Sequence, residues 1–171
     1  MHALPSSDAA IGMFAPDFTL QTTPDSELSL SELRGRPVVL VFYPSDFSPV
    51  CADQLSLYNE LLGEFHTYGA QFVGISVDGA WCHSAFSRDL QLHFPLLADF
   101  EPKGTVACRY GVYDAATGIC QRALFVVDRN GIVRWRHVAP IGINPGVDGI
   151  LASLDRIARD ELSGSFHSTK K

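Results

Sequence analysis

Apolar residues fall along this chain with two different periods. Val38-Val39-Leu40-Val41-Phe42-Tyr43 is unbroken and largely β-branched, the pattern of a strand buried on both faces and therefore central in its sheet. After Cys51 the apolar positions Leu55, Tyr58, Leu61, Leu62 and Phe65 follow helical spacing, and Gly69 ends the run. A second strand is predicted over Phe72 to Val77, a helix over Ala80 to Leu92, and a short extended piece at Phe94-Pro95-Leu96-Leu97. Gly104 to Tyr110 suits one to two helical turns. Leu124 to Asp128 and Ile132 to His137 flank Arg129-Asn130-Gly131, and an Asn-Gly pair between two apolar runs signals a β-hairpin. Val147, Ile150, Leu151, Leu154, Ile157 and Ala158 mark a closing helix. The order β-α-β-α-β, then helix, hairpin and helix, predicts a layered α/β domain.

Composition narrows the class. With 171 residues, 46% hydrophobic and 19% charged, the chain has the length and balance of one globular domain with a packed core. That domain is expected over 11–162, with 1–10 and 164–171 as loose tails. A formal net charge of −6 lacks the basic excess that phosphate backbones select, so nucleic acid is not an expected partner. The longest apolar runs are far shorter than the roughly 20 residues that span a bilayer, and Met1 to Ala10 lacks the charge and apolar stretch of a signal peptide. Neither a membrane partner nor an export signal is expected, and a cytoplasmic, reducing location is. Four cysteines, Cys51, Cys82, Cys108 and Cys120, are too few for a secreted disulfide scaffold. Any disulfide is expected to be catalytic.

The candidate chemistry lies after the first strand. Pro44-Ser45-Asp46-Phe47-Ser48-Pro49-Val50-Cys51 joins that strand to the following helix and puts Cys51 in the helix's first turn, at the carboxyl edge of a central strand, where α/β sheets place ligands. Free N–H groups and the helix dipole there favour a thiolate and a depressed thiol pKa. Taken alone, Cys51 reads equally well as a small buried residue. Cys82-His83 are adjacent on a helix and cannot face one ion, no C-x-x-C or H-x-x-x-H spacing occurs, and no Gly-rich phosphate loop is present. No metal and no cofactor are expected. Asp46 and Asp78 read as caps or loop carboxylates.

The combination of Pro44, Ser48 and Cys51 resembles the peroxiredoxin signature Pro-x-x-x-Thr/Ser-x-x-Cys. The flanking strand and helix match, and Ala15-Pro16-Asp17-Phe18 resembles the family's amino-terminal segment; the likeness extends from Ile11 to Leu154. Element order fits the thioredoxin-like fold that this implies, a central mixed β-sheet flanked by helices. The resemblance assigns Cys51 as peroxidatic nucleophile, Ser48 as a hydroxyl bonding peroxide and thiolate, and Pro44 as a shield against water. It also implies an Arg from a later strand. Gln121 to Asp128 matches that segment and makes Arg122 the candidate, ahead of Arg129 and Arg134 at the hairpin turn. Ser-Pro-Val-Cys and Phe94 to Phe100 are most similar to the AhpE-like and bacterioferritin-comigratory-type subgroups. One departure is Gln54, where many relatives carry Glu, which leaves the hydrogen bonding around the nucleophile open.

The implied activity is reduction of hydrogen peroxide or organic hydroperoxides through a Cys51 sulfenic acid, with a thioredoxin-like or low-molecular-weight thiol as reductant and a homodimer as the assembly. Cys82 is the candidate resolving thiol. If the first two strands are parallel neighbours and the third continues outward, right-handed crossovers put both following helices on one face, with Cys51 and Cys82 each in a first turn. Packed helix axes stand about 8–10 Å apart, wider than a disulfide's Cα span of roughly 4.4–6.8 Å, so one turn must open. Cys120 is the runner-up, two residues from Arg122 and expected on the same strand face, with Cys108 behind it as a core residue. A non-catalytic thioredoxin-fold redox sensor or interaction protein is the alternative from another class.

Overall fold

The computed structural model describes residues 9–167. Among these residues nine strands and five helices follow in the order β1 (Thr19–Thr23), β2 (Ser26–Ser29), a 3-10 turn (Leu30–Leu33), β3 (Val38–Phe42), α1 (Pro49–Glu60), α2 (Leu62–His66), β4 (Gln71–Ser76) and α3 (Ala80–Asp89), then β5 (Leu96–Ala98), α4 (Thr105–Arg109), β6 (Tyr113–Asp114), β7 (Ile119–Cys120), β8 (Arg122–Val127), β9 (Val133–Ala139) and α5 (Asp148–His167). Seven strands form one mixed sheet in the order β2-β1-β5-β4-β3-β8-β9. β3 pairs parallel with β4 and antiparallel with β8, and every residue of β3 is buried.

Because side chains alternate across a strand, the sheet divides the core into two layers. Val38, Leu40 and Phe42 of β3 join Ala123, Phe125 and Val127 of β8 and Val106, Ala107 and Tyr110 around α4. Val39, Val41 and Tyr43 face the other way, with Leu124 and Val126 of β8. There they meet Cys51, Leu55 and Tyr58 of α1, Phe86 of α3, and Ile150, Leu154 and Ile157 of α5. Each such Val, Leu, Ile or Phe contributes about 1.5–3 kcal/mol relative to exposure. β3, β4 and β5 step outward as parallel neighbours, and α1 and α3 share one layer, as the crossover rule requires.

Three expectations need adjustment. The β1–β2 hairpin is absent from the sequence reading because Thr19 to Thr23 has only a half-buried face, with Leu20 packed on the core; hydroxyl pairs such as Thr19 Oγ1 to Ser29 Oγ, 2.6 Å apart, add to its antiparallel ladder. Of the tails expected at 1–10 and 164–171, residues 1–8 and 168–171 lie outside the described residues. Between them, Ala9 is fully buried in the core, and α5 runs through Gly164 to His167, since one Gly costs a helix only about 1 kcal/mol. Cys108, expected in the core, is exposed on α4, on the turn's outer side while Val106 and Ala107 point inward. Among the described residues no helix is long and apolar enough to cross a membrane.

Gly74 of β4 sits where a Cβ would stand 2.6 Å from Leu96 Cδ2 and 3.3 Å from the Tyr43 ring. Gly74→Ala is expected to destabilise the domain by about 1–3 kcal/mol through overpacking, read as a lowered urea midpoint at unchanged slope; unaltered stability would show that this layer has room to give.

Candidate active site

β3 delivers the chain to the site. Beyond Phe42, Tyr43 and Pro44 are buried, and the loop to Ser48 is held by Asp46. Its carboxylate accepts from Tyr43 OH at 2.6 Å and pairs with His83 Nδ1 at 2.7 Å, while its backbone N–H donates to Asp78 Oδ2 at 2.9 Å. His83 Nε2 lies 3.0 Å from the Leu97 carbonyl, which only accepts, so Nε2–H is the donor there. Burial and then the Asp46 charge hold the Tyr43 phenol well above its usual range, so its hydroxyl stays a donor. These anchors fix Phe47 at φ 62°, a left-handed backbone costing about 1–2 kcal/mol in a residue with a Cβ. The exposed Phe47 ring packs on Phe86 of α3, with centroids 5.0 Å apart.

Ser48 is then the N-cap of α1. Its extended backbone (φ −72°, ψ 141°) turns the chain into the helix, its carbonyl accepts from Ala52 N–H at 2.9 Å, and Pro49 fills the first helical position, where a missing N–H costs nothing. The half-buried Ser48 hydroxyl makes no capping bond. Cys51 is the third residue of α1 and is wholly buried.

Arg122 opens β8 and, by strand alternation with Leu124 and Val126, points into the layer that holds Cys51. It is 2% exposed. Nη1 and Nη2 each stand 3.5 Å from Cys51 Sγ, within hydrogen-bonding range for sulfur. Nη1 also donates to Gln54 Oε1 at 2.7 Å, and Nε and Nη2 donate to the Ile141 carbonyl at 2.9 and 2.7 Å. Gln54 Nε2 donates to Tyr58 OH, and Tyr58 OH donates to the Gly146 carbonyl, both at 3.0 Å. Arg129 and Arg134 are elsewhere, paired with Glu161 and with Asp128 and Asp160.

Cys82 is the third residue of α3, and its sulfur clusters with the carboxylates of Asp46 and Asp78 within 4.8 Å. Those oxygens are engaged by Tyr43, His83, Ser76 and the Asp46 N–H. Burial first, then Asp46 and Asp78, push the Cys82 thiol up to about 11. Cys120 does not share a strand with Arg122: Gln121 separates β7 from β8, and Cys120 is buried in the opposite core layer from Cys51. Burial raises its thiol far above the usual range. Sequence reasoning did not find Tyr58, which counted only as an apolar helix position, or the Ile141 and Gly146 carbonyls, which no side chain signals. Asp46 and His83 were visible as residues without their pairing.

A buried thiol at a helix start, faced by two guanidinium donors, can be compared with known proteins. The sequence model of the AhpC/TSA family matches residues 11–136. The chain belongs to this family, the peroxiredoxins. It is similar to "Peroxiredoxin 2" of Thermoplasma acidophilum, 34% identical over 147 residues, 82% of this chain and 72% of that protein. It is also similar to "Alkyl hydroperoxide reductase E" of Mycobacterium tuberculosis, 37% identical over 133 residues, 77% of this chain and 87% of that protein. Among solved structures, the reduced 2-Cys peroxiredoxin of Plasmodium vivax superposes with a TM-score of 0.82 at 28% identity, covering 94% of this chain and 86% of that one. The peroxiredoxin is accordingly a thiol peroxidase with a thioredoxin-like fold, and the non-catalytic alternative is not favoured.

In the folded, reduced peroxiredoxin, Cys82 is expected to alkylate as a strongly protonated thiol. In a Cys51→Ser/Cys108→Ser background, iodoacetamide labelling should stay slow where an ordinary thiol, at about 8.5, is already ionised, and rise only toward the value of about 11. Asp78→Asn should move the profile to lower pH. Labelling with an ordinary midpoint in the parent would overturn this picture.

Proposed function

We propose that this peroxiredoxin reduces hydrogen peroxide and organic hydroperoxides with Cys51 as nucleophile, Arg122 and Ser48 as the groups that hold thiolate and peroxide, and Pro44 as a shield against water. The observation that carries the assignment is the pair of Arg122 N–H groups at 3.5 Å from a wholly buried Cys51 sulfur. Guanidinium donates and never accepts, and it stays charged, so this geometry suits an anionic sulfur and the charge that develops on a peroxide oxygen during attack. The free Ser48 hydroxyl, one turn before the sulfur and unused as a cap, supports its role on the peroxide.

The thiolate attacks one peroxide oxygen in line, the O–O bond breaks, and the leaving oxygen takes a proton to become water or alcohol, leaving Cys51 sulfenic acid. Cys82 then condenses with it: the S–O bond breaks, a disulfide forms and water leaves with the thiol proton. A thioredoxin-like or low-molecular-weight thiol returns both cysteines to thiols by exchange. Supporting Cys82 is its position in the first turn of α3, in the same core layer as α1 and beside the Asp46 loop. Against Cys120 stands its burial on the other side of the sheet. Phe47, Trp81 and Phe100, all more than half exposed, are consistent with a homodimer, and the reducing chemistry with a cytoplasmic location.

The decisive measurement mixes reduced protein with a small excess of hydrogen peroxide. One equivalent should disappear rapidly in the parent and not in Cys51→Ser, and Arg122→Lys or Arg122→Ala should slow the step about a hundredfold or more at unchanged fold. A near-parent rate in a folded Arg122 variant would remove Arg122 from the site.

Peptide mapping of the oxidised protein under non-reducing conditions should return a Cys51–Cys82 linked pair. A Cys51–Cys120 link, or only over-oxidised Cys51, refutes the assignment of Cys82.

A further inference from the structure

We propose that Tyr58 is a positioning residue for peroxide reduction: its hydroxyl, oriented by the Gly146 carbonyl, decides which end of the Gln54 amide faces Arg122. This rests on the reading of Arg122 given above.

Donor and acceptor counts fix the orientation of the amide. Gly146 O can only accept, so the single hydroxyl proton of Tyr58 is committed to it at 3.0 Å. The Tyr58 oxygen is then left to accept, and it takes Gln54 Nε2–H, also at 3.0 Å. With the NH₂ end turned to Tyr58, the Gln54 carbonyl faces Arg122 and accepts Nη1–H at 2.7 Å. The reverse amide would set NH₂ against a guanidinium that has no acceptor, two donors face to face in a buried site. Gln54 and Tyr58 are themselves buried, so water does not settle the orientation. Burial pushes the Tyr58 phenol up to about 12, and its proton is therefore present throughout the working range.

A carboxylate at position 54 would need no such director, because both of its oxygens accept. It would also compete with Gly146 for the one Tyr58 proton and leave one acceptor short. Gln54 and Tyr58 thus form a matched pair, and the hydroxyl is what lets a neutral amide do the work of orienting Arg122. The relay further ties α1 to the segment between β9 and α5, whose Ile141 carbonyl accepts two Arg122 bonds. Arg122 is therefore gripped from both ends of one loop.

The test is a double-mutant cycle on the second-order rate of Cys51 oxidation by hydrogen peroxide. Tyr58→Phe, which keeps the ring against Phe72 at 5.4 Å, should slow oxidation about tenfold in the parent, the loss of one oriented hydrogen bond. In a Gln54→Glu background the same change should cost less than about twofold, because a carboxylate presents an oxygen to Arg122 whichever way it turns. Equal losses in both backgrounds would make Tyr58 merely structural and overturn the proposal. Gln54→Leu approaches the contact from the other side and keeps the test open if Tyr58→Phe unfolds: it should slow oxidation to a similar extent, and a near-parent rate would equally overturn the proposal. Failure of the underlying reading is separately visible, since Arg122→Ala would then oxidise at the parent rate.

Discussion

A guanidinium held almost completely out of water is the constraint on which the rest of the site depends. Taking such an ion from solvent costs several kcal/mol unless charge and hydrogen bonds are returned to it. Arg122 recovers the hydrogen bonds from Ile141 O, Gln54 Oε1 and Cys51 Sγ. Of these three partners two are neutral oxygens, and only the sulfur can carry a negative charge. The reduced protein therefore brings together a cation that lacks an anion and a thiol at a helix N-terminus, where the dipole also favours an anion. A carboxylate at position 54 would give Arg122 a permanent counter-ion and weaken its call on the sulfur. With Gln54, the proposed nucleophile and the one chargeable partner of Arg122 are the same group, so the proposed redox step at Cys51 would change how well Arg122 is accommodated.

That coupling works because the fold holds both partners rigidly from independent directions. Strand parity sends Arg122 into one core layer with Leu124 and Val126, while β3 and the Asp46 loop bring Cys51 into the same layer from below. Asp46 binds Tyr43 of its own segment, His83 of α3 and, through its N–H, Asp78 after β4. Three segments thus converge on one residue, two on its carboxylate and one on its backbone N–H, enough to hold Phe47 in its left-handed conformation. The loop that carries Ser48 and Pro44 is accordingly attached to α3, the helix that carries Cys82.

Much of this was legible in the sequence, for reasons that differ by residue. β3 and the β8–β9 hairpin follow from an unbroken apolar run and an Asn-Gly turn, signals that depend on neighbours along the chain. Cys51, Ser48, Pro44 and Arg122 were visible because their spacing resembles a family pattern. Cys108 and Cys120 were misjudged because parity was extended across Gln121, where β7 ends and a new strand begins, and because a turn as short as α4 has one buried side and one open side. Tyr58 fits both an apolar helix stripe and a hydroxyl relay, and periodicity alone reports the first. The carbonyls of Ile141 and Gly146 lie beyond the segment that the family model matches and act through backbone, which carries no sequence signature.

The closed geometry also constrains how the proposed cycle can proceed. Cys51 is wholly buried, and burial together with the nearby Asp46 and Asp78 keeps Cys82 protonated. In that state neither sulfur is ready for the other: one is shielded by its helix, and the second is a thiol where a thiolate is needed. Opening the first turn of α3 changes both conditions together. It carries Cys82 away from Asp46 and Asp78, which lowers the cost of ionising it, and it frees the sulfur to approach the α1 terminus. Helix ends open with little free energy compared with the core, but His83 ties the first turn of α3 to Asp46 and to the Leu97 carbonyl, so the opening has to break those bonds. In the proposed cycle, conversion of Cys51 to sulfenic acid would change the one chargeable group that Arg122 contacts at 3.5 Å.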